Sequence, residues 1–113
     1  MTFEERLERD YTEACEALSA RFGTPFSVAS TAGGCYAITT TLETGDLVLI
    51  TDAADTTLNT LDETEGFSVG VYAETDTGNE PLVYVSDAQR SLSRLPDLFA
   101  HALHKRAAEG MTG

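Results

Sequence analysis

Basic residues are scarce in this chain and are missing from its middle. The 113 residues include seven Lys and Arg against 19 Asp and Glu, so the net charge is -12 at pH 7. None of the basic residues lies between Phe22 and Gln89. This distribution argues against DNA or RNA as a direct ligand, because phosphate binding needs a basic patch.

Cysteines and long apolar runs are also scarce. Cys15 and Cys35 are too few for a disulfide scaffold and lack the CxxC spacing of a redox or zinc site. No apolar run approaches the roughly 20 residues of a membrane span. The acidic start, residues 1–5, is unlike a signal peptide. We therefore expect a cytoplasmic protein with reduced thiols and no membrane partner.

Recognisable catalytic and cofactor motifs are absent as well. The chain has no GxSxG elbow, phosphate-binding glycine loop or GxGxxG sequence. Asp97, His101 and His104 fall on one side of a predicted C-terminal helix, without a nucleophile or a further metal ligand. We interpret them as a solvated helix face with an Asp97–His101 pair. The prediction is a noncatalytic protein without a cofactor.

The composition that is present is that of an ordinary globular domain. Hydrophobic residues make up 42% and charged residues 23% of the chain, too apolar for a disordered sequence. At this length we predict one domain over residues 1–113, with a frayed tail at 110–113. Arg exceeds Lys, and Ile and Asn are rare, a bias that favours GC-rich codons such as those of an actinobacterium or one of its phages.

Helical patterns occur at both ends. Thr2 and Glu5 match a capping box, and Gly23 supplies a stop. Between them the apolar positions recur at helical spacing; they are Phe3, Leu7, Tyr11, Ala14, Leu18 and Phe22. A second capping box begins at Ser86, but Pro96 favours a helix from about Arg94 to Glu109, capped by Ser93.

The middle of the chain reads as five short strands. The predicted ranges are 26–30, 35–42, 47–51, 67–75 and 81–85, and short glycine-containing turns join most of them as antiparallel neighbours. We predict an α+β fold: an N-terminal helix, a five-stranded mainly antiparallel sheet and a C-terminal helix, with both helices on one sheet face.

Strand alternation divides the sheet into two faces. The core face is predicted to carry Phe26, Val28, Tyr36, Ile38, Leu42, Phe67, Val69, Val71 and Ala73. The opposite face is predicted to carry Ser27, Cys35, Thr39, Thr41, Ser68, Gly70, Tyr72 and Glu74. Strands 47–51 and 81–85 are apolar on both sides, which predicts either a central position or a cover on the second face. Self-association into a homodimer through that open face is one hypothesis.

Residues 52–66 are too long for a tight hairpin and too polar for a core strand. We favour a crossover connection, with Leu58 and Leu61 anchoring one helical turn or an ordered loop; a functional loop is the alternative. Carboxylates are dense here, but their spacing does not match an EF-hand.

The acidic middle of the chain is the most informative feature for function. Eleven acids and no basic residue lie between Phe22 and Gln89, and repulsion on this scale favours a basic partner. The predicted partner-binding residues are Asp52, Asp55, Asp62, Glu63, Glu65, Glu74, Asp76 and Glu80. The leading hypothesis is a noncatalytic accessory or inhibitor protein that engages a basic protein surface.

Two alternatives remain open at this point. One is a domain that binds a small ligand or a divalent metal through residues 52–66 and has an enzymatic role. The other is a structural subunit of an oligomeric assembly. In size, charge and element order the chain resembles the small acidic α+β chaperones of secretion systems; the resemblance includes no motif and assigns no site residue.

Overall fold

The chain folds as a helix, five strands and a second helix, which confirms the predicted α+β fold. The structure is a computed structural model that describes residues 2–32, 34–55, 57–73, 81–88 and 92–112. Its elements are α1 (Phe3–Phe22), β1 (Ser27–Ala32), β2 (Cys35–Thr41), β3 (Leu47–Asp52), β4 (Phe67–Tyr72), β5 (Val83–Asp87), a 3-10 turn (Leu92–Arg94) and α2 (Leu95–Thr112).

Local sequence signals set both ends of α1. The Thr2 hydroxyl accepts a hydrogen bond from the Glu5 N–H at 3.2 Å, and the Glu5 carboxylate accepts one from the Thr2 N–H at 3.3 Å. Gly23 adopts a left-handed conformation with φ of 70°, and its N–H donates to the Ser19 carbonyl. The capping box and the glycine stop are therefore confirmed.

The five strands form one antiparallel meander in the order β1-β2-β3-β4-β5. The predicted crossover for residues 52–66 is wrong, because β3 and β4 are adjacent and antiparallel. The segment is instead a long hairpin connection. Its Leu58 is fully buried, so the extra length lets the connection add a side chain to the core.

Both helices pack against one face of the sheet. A row of apolar residues runs across that face in register: Val28, Ile38, Ile50, Val69 and Val85. These side chains share a core cluster with buried residues of α1, such as Leu7 and Leu18, and of α2, such as Phe99. Aromatic edge contacts join the layers, including Tyr11 with Phe67 and Phe22 with Phe99.

The second helix differs in detail from its prediction. It begins at Leu95, one residue after the predicted start, because Ser93 lies in the preceding 3-10 turn. Its backbone is helical to Thr112, three residues past the predicted end at Glu109. Ser86 lies within β5 and caps no helix; Gln89, its predicted capping-box partner, falls outside the described residues. In the described part of the chain, no helix is long and apolar enough to cross a membrane.

Two buried hydroxyl side chains differ in how they are satisfied. Thr40 is 4% exposed, and its Oγ1 donates to the Pro25 carbonyl at 2.8 Å. Ser68 is 1% exposed, and within the described residues its Oγ has no hydrogen-bond partner. A buried unsatisfied hydroxyl lowers stability, whereas a satisfied one raises it modestly.

This contrast predicts opposite effects of removing the two hydroxyls. Ser68→Ala should raise the free energy of unfolding by about 1 kcal/mol, because the desolvated hydroxyl disappears. Thr40→Val should lower it by about 1–2 kcal/mol, because the Pro25 carbonyl loses its donor. Urea denaturation of the two variants measures both values. A loss of stability in Ser68→Ala as large as that in Thr40→Val would contradict this assignment.

Candidate functional site

The eight predicted partner-binding acids occupy different environments. Asp55, Asp62, Glu63 and Glu65 are exposed on the connection between β3 and β4, here called the β3–β4 loop (residues 53–66). Asp52 ends β3 and is only 2% exposed. The remaining three, Glu74, Asp76 and Glu80, lie outside the described residues. The structure thus places four of the predicted acids on a surface.

Asp52 is the acceptor around which the β3–β4 loop folds. Its Oδ1 accepts from the Ala54 N–H at 2.9 Å and from the Glu65 N–H at 3.3 Å, and its Oδ2 accepts from the Asn59 amide at 2.8 Å. These donors lie at the start, middle and end of the loop. Because one carboxylate joins all three, the Asp52 side chain fixes the loop conformation and is turned inward, away from solvent.

The same hydrogen bonds control the charge of Asp52. Burial would raise the pKa of its carboxyl, but the accepted hydrogen bonds, led by that from the Ala54 N–H, lower the pKa below its usual value. The group is therefore ionised at neutral pH.

The loop is also tied to the helix side of the sheet. The Tyr11 hydroxyl donates to the Asn59 carbonyl, and the Leu61 N–H donates to the Asp10 carboxylate at 3.1 Å. The Leu58 N–H donates to the Tyr36 carbonyl at 2.8 Å. These contacts close one end of the core and hold the exposed loop acids on a rigid support.

The described ion pairs join arginines to acids that lie mostly outside the β3–β4 loop. Four pairs occur among the residues that the structure describes: Arg9–Asp10, Arg21–Asp97, Arg94–Asp87 and Arg106–Asp46. None of them involves Asp62, Glu63 or Glu65. No ion pair with another described residue therefore offsets the negative charge of these three side chains.

The sheet face opposite the helices carries large apolar side chains. The strand register places Leu49, Gly70 and Tyr84 side by side on this face, with Leu47 opposite Tyr72 in the next row. These five residues are here called the open face. Tyr84 is 52% exposed, and Leu82, just before β5, is 38% exposed. The sequence had predicted Gly70 and Tyr72 on this face and apolar side chains on both sides of strands 47–51 and 81–85, and the register brings these residues together.

A small cavity lies on the open face, beside the β3–β4 loop. The Tyr72 ring lies over Gly70, since a methyl group at position 70 would be 2.9 Å from the Tyr72 Cε1 atom. The cavity measures about 170 Å³ and is lined by Thr31, Leu49, Thr51, Asp55, Gly70, Tyr72 and Tyr84. Sequence reasoning missed this cavity, although it had predicted that strand 81–85 is apolar on both sides.

A larger groove of about 500 Å³ lies between α1 and the edge strand β1. Cys15, Phe26 and Val28 line it, with Glu8 and Glu16 also at its wall. Burial and the neighbouring Glu16 raise the pKa of the Cys15 thiol to about 11, so this thiol is protonated at pH 7 and a poor nucleophile.

Candidate metal ligands do not converge in the described part of the chain. No group of three or more His, Cys, Asp or Glu side chains there is arranged to hold a metal ion. The predicted Asp97–His101 pair is replaced by an ion pair, in which the Asp97 carboxylate contacts Arg21 of α1 at 3.3 Å. His101 and His104 are exposed on α2.

Comparison of the chain with protein-family models, with curated proteins and with solved structures found no match. Function is therefore inferred from the residues and geometry of this chain alone.

The role of Asp52 predicts a pH-dependent effect of its replacement. Asp52→Asn should lower the free energy of unfolding by about 2 kcal/mol at pH 7, because the charge-assisted hydrogen bonds of the loop are lost. Since the folded pKa is depressed, this stabilisation is complete above the ordinary Asp pKa of about 3.9. The difference between wild type and variant should shrink as the pH falls below about 4.

Denaturant unfolding at several pH values between about 7 and 3 measures this difference. Asp62→Asn is the matched control, because Asp62 is an exposed acid of the same loop and should change stability by less than about 0.5 kcal/mol. An Asp52→Asn effect that is independent of pH would contradict the role assigned to the carboxylate.

Proposed function

We propose that this chain is a noncatalytic, acidic protein-interaction domain that engages a basic protein surface. The observation that supports this most is the position of the exposed loop acids: Asp55 of the β3–β4 loop lines the cavity on the open face. An apolar area and one acid of the loop are thus neighbours. Protein interfaces combine such an apolar centre with a charged rim that selects the partner.

Rigidity of the acidic edge also supports the proposal. The loop acids are carried on a backbone that Asp52, Tyr11 and Leu58 fix to the core. A preorganised surface loses less conformational entropy on binding than a mobile one. In this proposal Asp52 shapes the binding loop, and Asp55, Asp62, Glu63 and Glu65 face the partner.

Charge favours a basic partner over a second copy of the chain. Two copies meeting at the open face would each carry a net charge of -12, and the resulting repulsion opposes association. A homodimer is the competing use of the open face, and a light-scattering mass of two chains would reveal it.

The biological setting belongs to the same proposal. The free cysteines Cys15 and Cys35 suit the reducing cytoplasm. Within it we infer an accessory or inhibitor protein of an actinobacterium or phage, without direct nucleic-acid or membrane contact.

Charge reversal on the β3–β4 loop tests the proposal. The triple variant Asp62→Lys, Glu63→Lys and Glu65→Lys should bind a basic partner with an affinity about tenfold or more lower than wild type, because attraction becomes repulsion at three positions. Affinity capture from a lysate of the source organism, washed at about 0.1 M and then about 0.5 M salt, identifies what the wild-type chain retains. Titration of that purified partner then gives the affinities.

The matched control carries the same change of charge on α1. Glu8, Glu13 and Glu16 are exposed there, and replacing all three with Lys should leave binding within about threefold. Equal losses in both triple variants would indicate nonspecific charge attraction. Full retention of the partner by the loop variant would refute the proposed function.

A further inference from the structure

The cavity on the open face has the size of a single side chain. Its volume of about 170 Å³ is below the roughly 300–1,000 Å³ of pockets for cofactors and drug-sized ligands. The residues that line it are two tyrosines, two threonines, the aliphatic Leu49, Gly70 and the acidic Asp55. A matching occupant has a flat cationic head and an apolar stem.

We propose that this cavity receives an arginine side chain of the basic partner. The guanidinium is planar, stacks on aromatic faces and presents five N–H donors. The rings of Tyr72 and Tyr84 supply aromatic surfaces, and Asp55 supplies the opposite charge. This inference rests on the proposed function, because it names the partner group that the acidic domain recognises.

Hydrogen-bond acceptors at the cavity fit the donors of a guanidinium. The Thr51 hydroxyl donates its proton to the Asp52 carbonyl at 3.5 Å, which leaves the lone pairs of Thr51 Oγ1 as acceptors. Thr31 adds a second hydroxyl from β1. Lysine has a compact ammonium group with three donors and no planar surface, so it matches this arrangement less well.

Gly70 gives the cavity its floor. Gly70 lies between Leu49 and Tyr84 in the strand register, and its lack of a side chain leaves room for the Tyr72 ring, which a β-carbon at position 70 would meet at 2.9 Å. The methylene stem of an arginine can then lie against Leu49 while its head reaches Asp55. A β-carbon at position 70 would displace the Tyr72 ring.

The charge of the molecule supports an arginine in this place. The cavity lies on a face whose described strands contribute no basic side chain, in a chain with a net charge of -12. Cation–π attraction at an exposed site and a rim ion pair each contribute modestly. Together they select a cationic side chain over a neutral one.

NMR titration with a seven-residue peptide that carries one central arginine tests the inference. Amide shifts should concentrate on Leu49, Thr51, Gly70 and Tyr84. The same peptide with citrulline, a neutral isostere of arginine, should produce almost none of these shifts. Equal shifts with both peptides, or shifts spread over all the exposed acids, would overturn the inference.

Variants of the cavity sharpen the test. Tyr84→Leu and Asp55→Asn should each weaken arginine-peptide binding about two- to fivefold, as expected for one cation–π contact or one rim ion pair. Tyr84→Phe keeps the aromatic face and should bind within about twofold of wild type. Glu13→Gln, on α1, is the remote control and should change nothing. Unchanged binding by Tyr84→Leu would refute the arginine cavity.

Failure of this inference can be distinguished from failure of the proposed function. If the charge-reversed loop variant loses the partner while Tyr84→Leu and Asp55→Asn retain it, the interaction domain stands and the cavity assignment falls. If the loop variant retains the partner, the proposed function falls, and the peptide titration still reports whether the cavity binds arginine.

Discussion

A sheet of five strands has two faces, and the two helices of this chain cover the same one. Burial of the Ile and Val rows under α1 and α2 supplies the core and therefore most of the driving force for folding. Among the described residues, no helix covers the other face. Leu49 is partly shielded by its neighbours in the sheet, whereas Tyr84 at the β5 edge stays half exposed. The exposure of Tyr84 thus follows from both described helices lying on the same side of the sheet.

A second constraint is that the connection from the end of β3 to the start of β4 must cover one end of the core. The β3–β4 loop is polar, yet it inserts Leu58 into the core, so the loop backbone needs hydrogen-bond partners near an apolar interior. The Asp52 carboxylate supplies acceptors for Ala54, Asn59 and Glu65. Asp52 therefore has a structural role, while Asp55 lines the open cavity and accepts a hydrogen bond from the Asn59 amide at 3.3 Å.

Much of the fold was predictable because its signals are local. The caps of α1, its apolar stripe and the five strands depend on residues close in sequence, and the structure reproduces them. The route of residues 52–66 was not predictable in this way, because a crossover and a long hairpin differ only in which strands pair. The same limit applies to the hydrogen bonds of Asp52. The bond from Ala54 is local in sequence, but the bonds from Asn59 and Glu65 depend on how the loop folds back.

The candidate site was less predictable than the fold. Exposure of Asp62, Glu63 and Glu65 followed from their polarity, and the structure agrees. The cavity required the register of four strands, since Thr31, Leu49, Gly70 and Tyr84 come from β1, β3, β4 and β5. The contact between Tyr72 and Gly70 then depends on the direction of one ring. Cross-strand register and side-chain direction are tertiary properties that the alternation of a single strand leaves undetermined.

In the proposed function, the charged loop acids and the apolar residues of the open face have different roles. Four of the described arginines form ion pairs, and none of these pairs involves Asp62, Glu63 or Glu65. Attraction for a basic molecule is therefore favoured at the β3–β4 loop. Long-range attraction of this kind raises the association rate and orients the partner more than it raises the affinity of the complex. In the proposed function, affinity then comes from a desolvated contact nearby, and the cavity lined by Tyr72, Tyr84, Leu49 and Asp55 is the surface proposed for it. Of the loop acids only Asp55 lines the cavity of that face, so in the proposed complex it is the acid that joins the charged loop to the apolar contact.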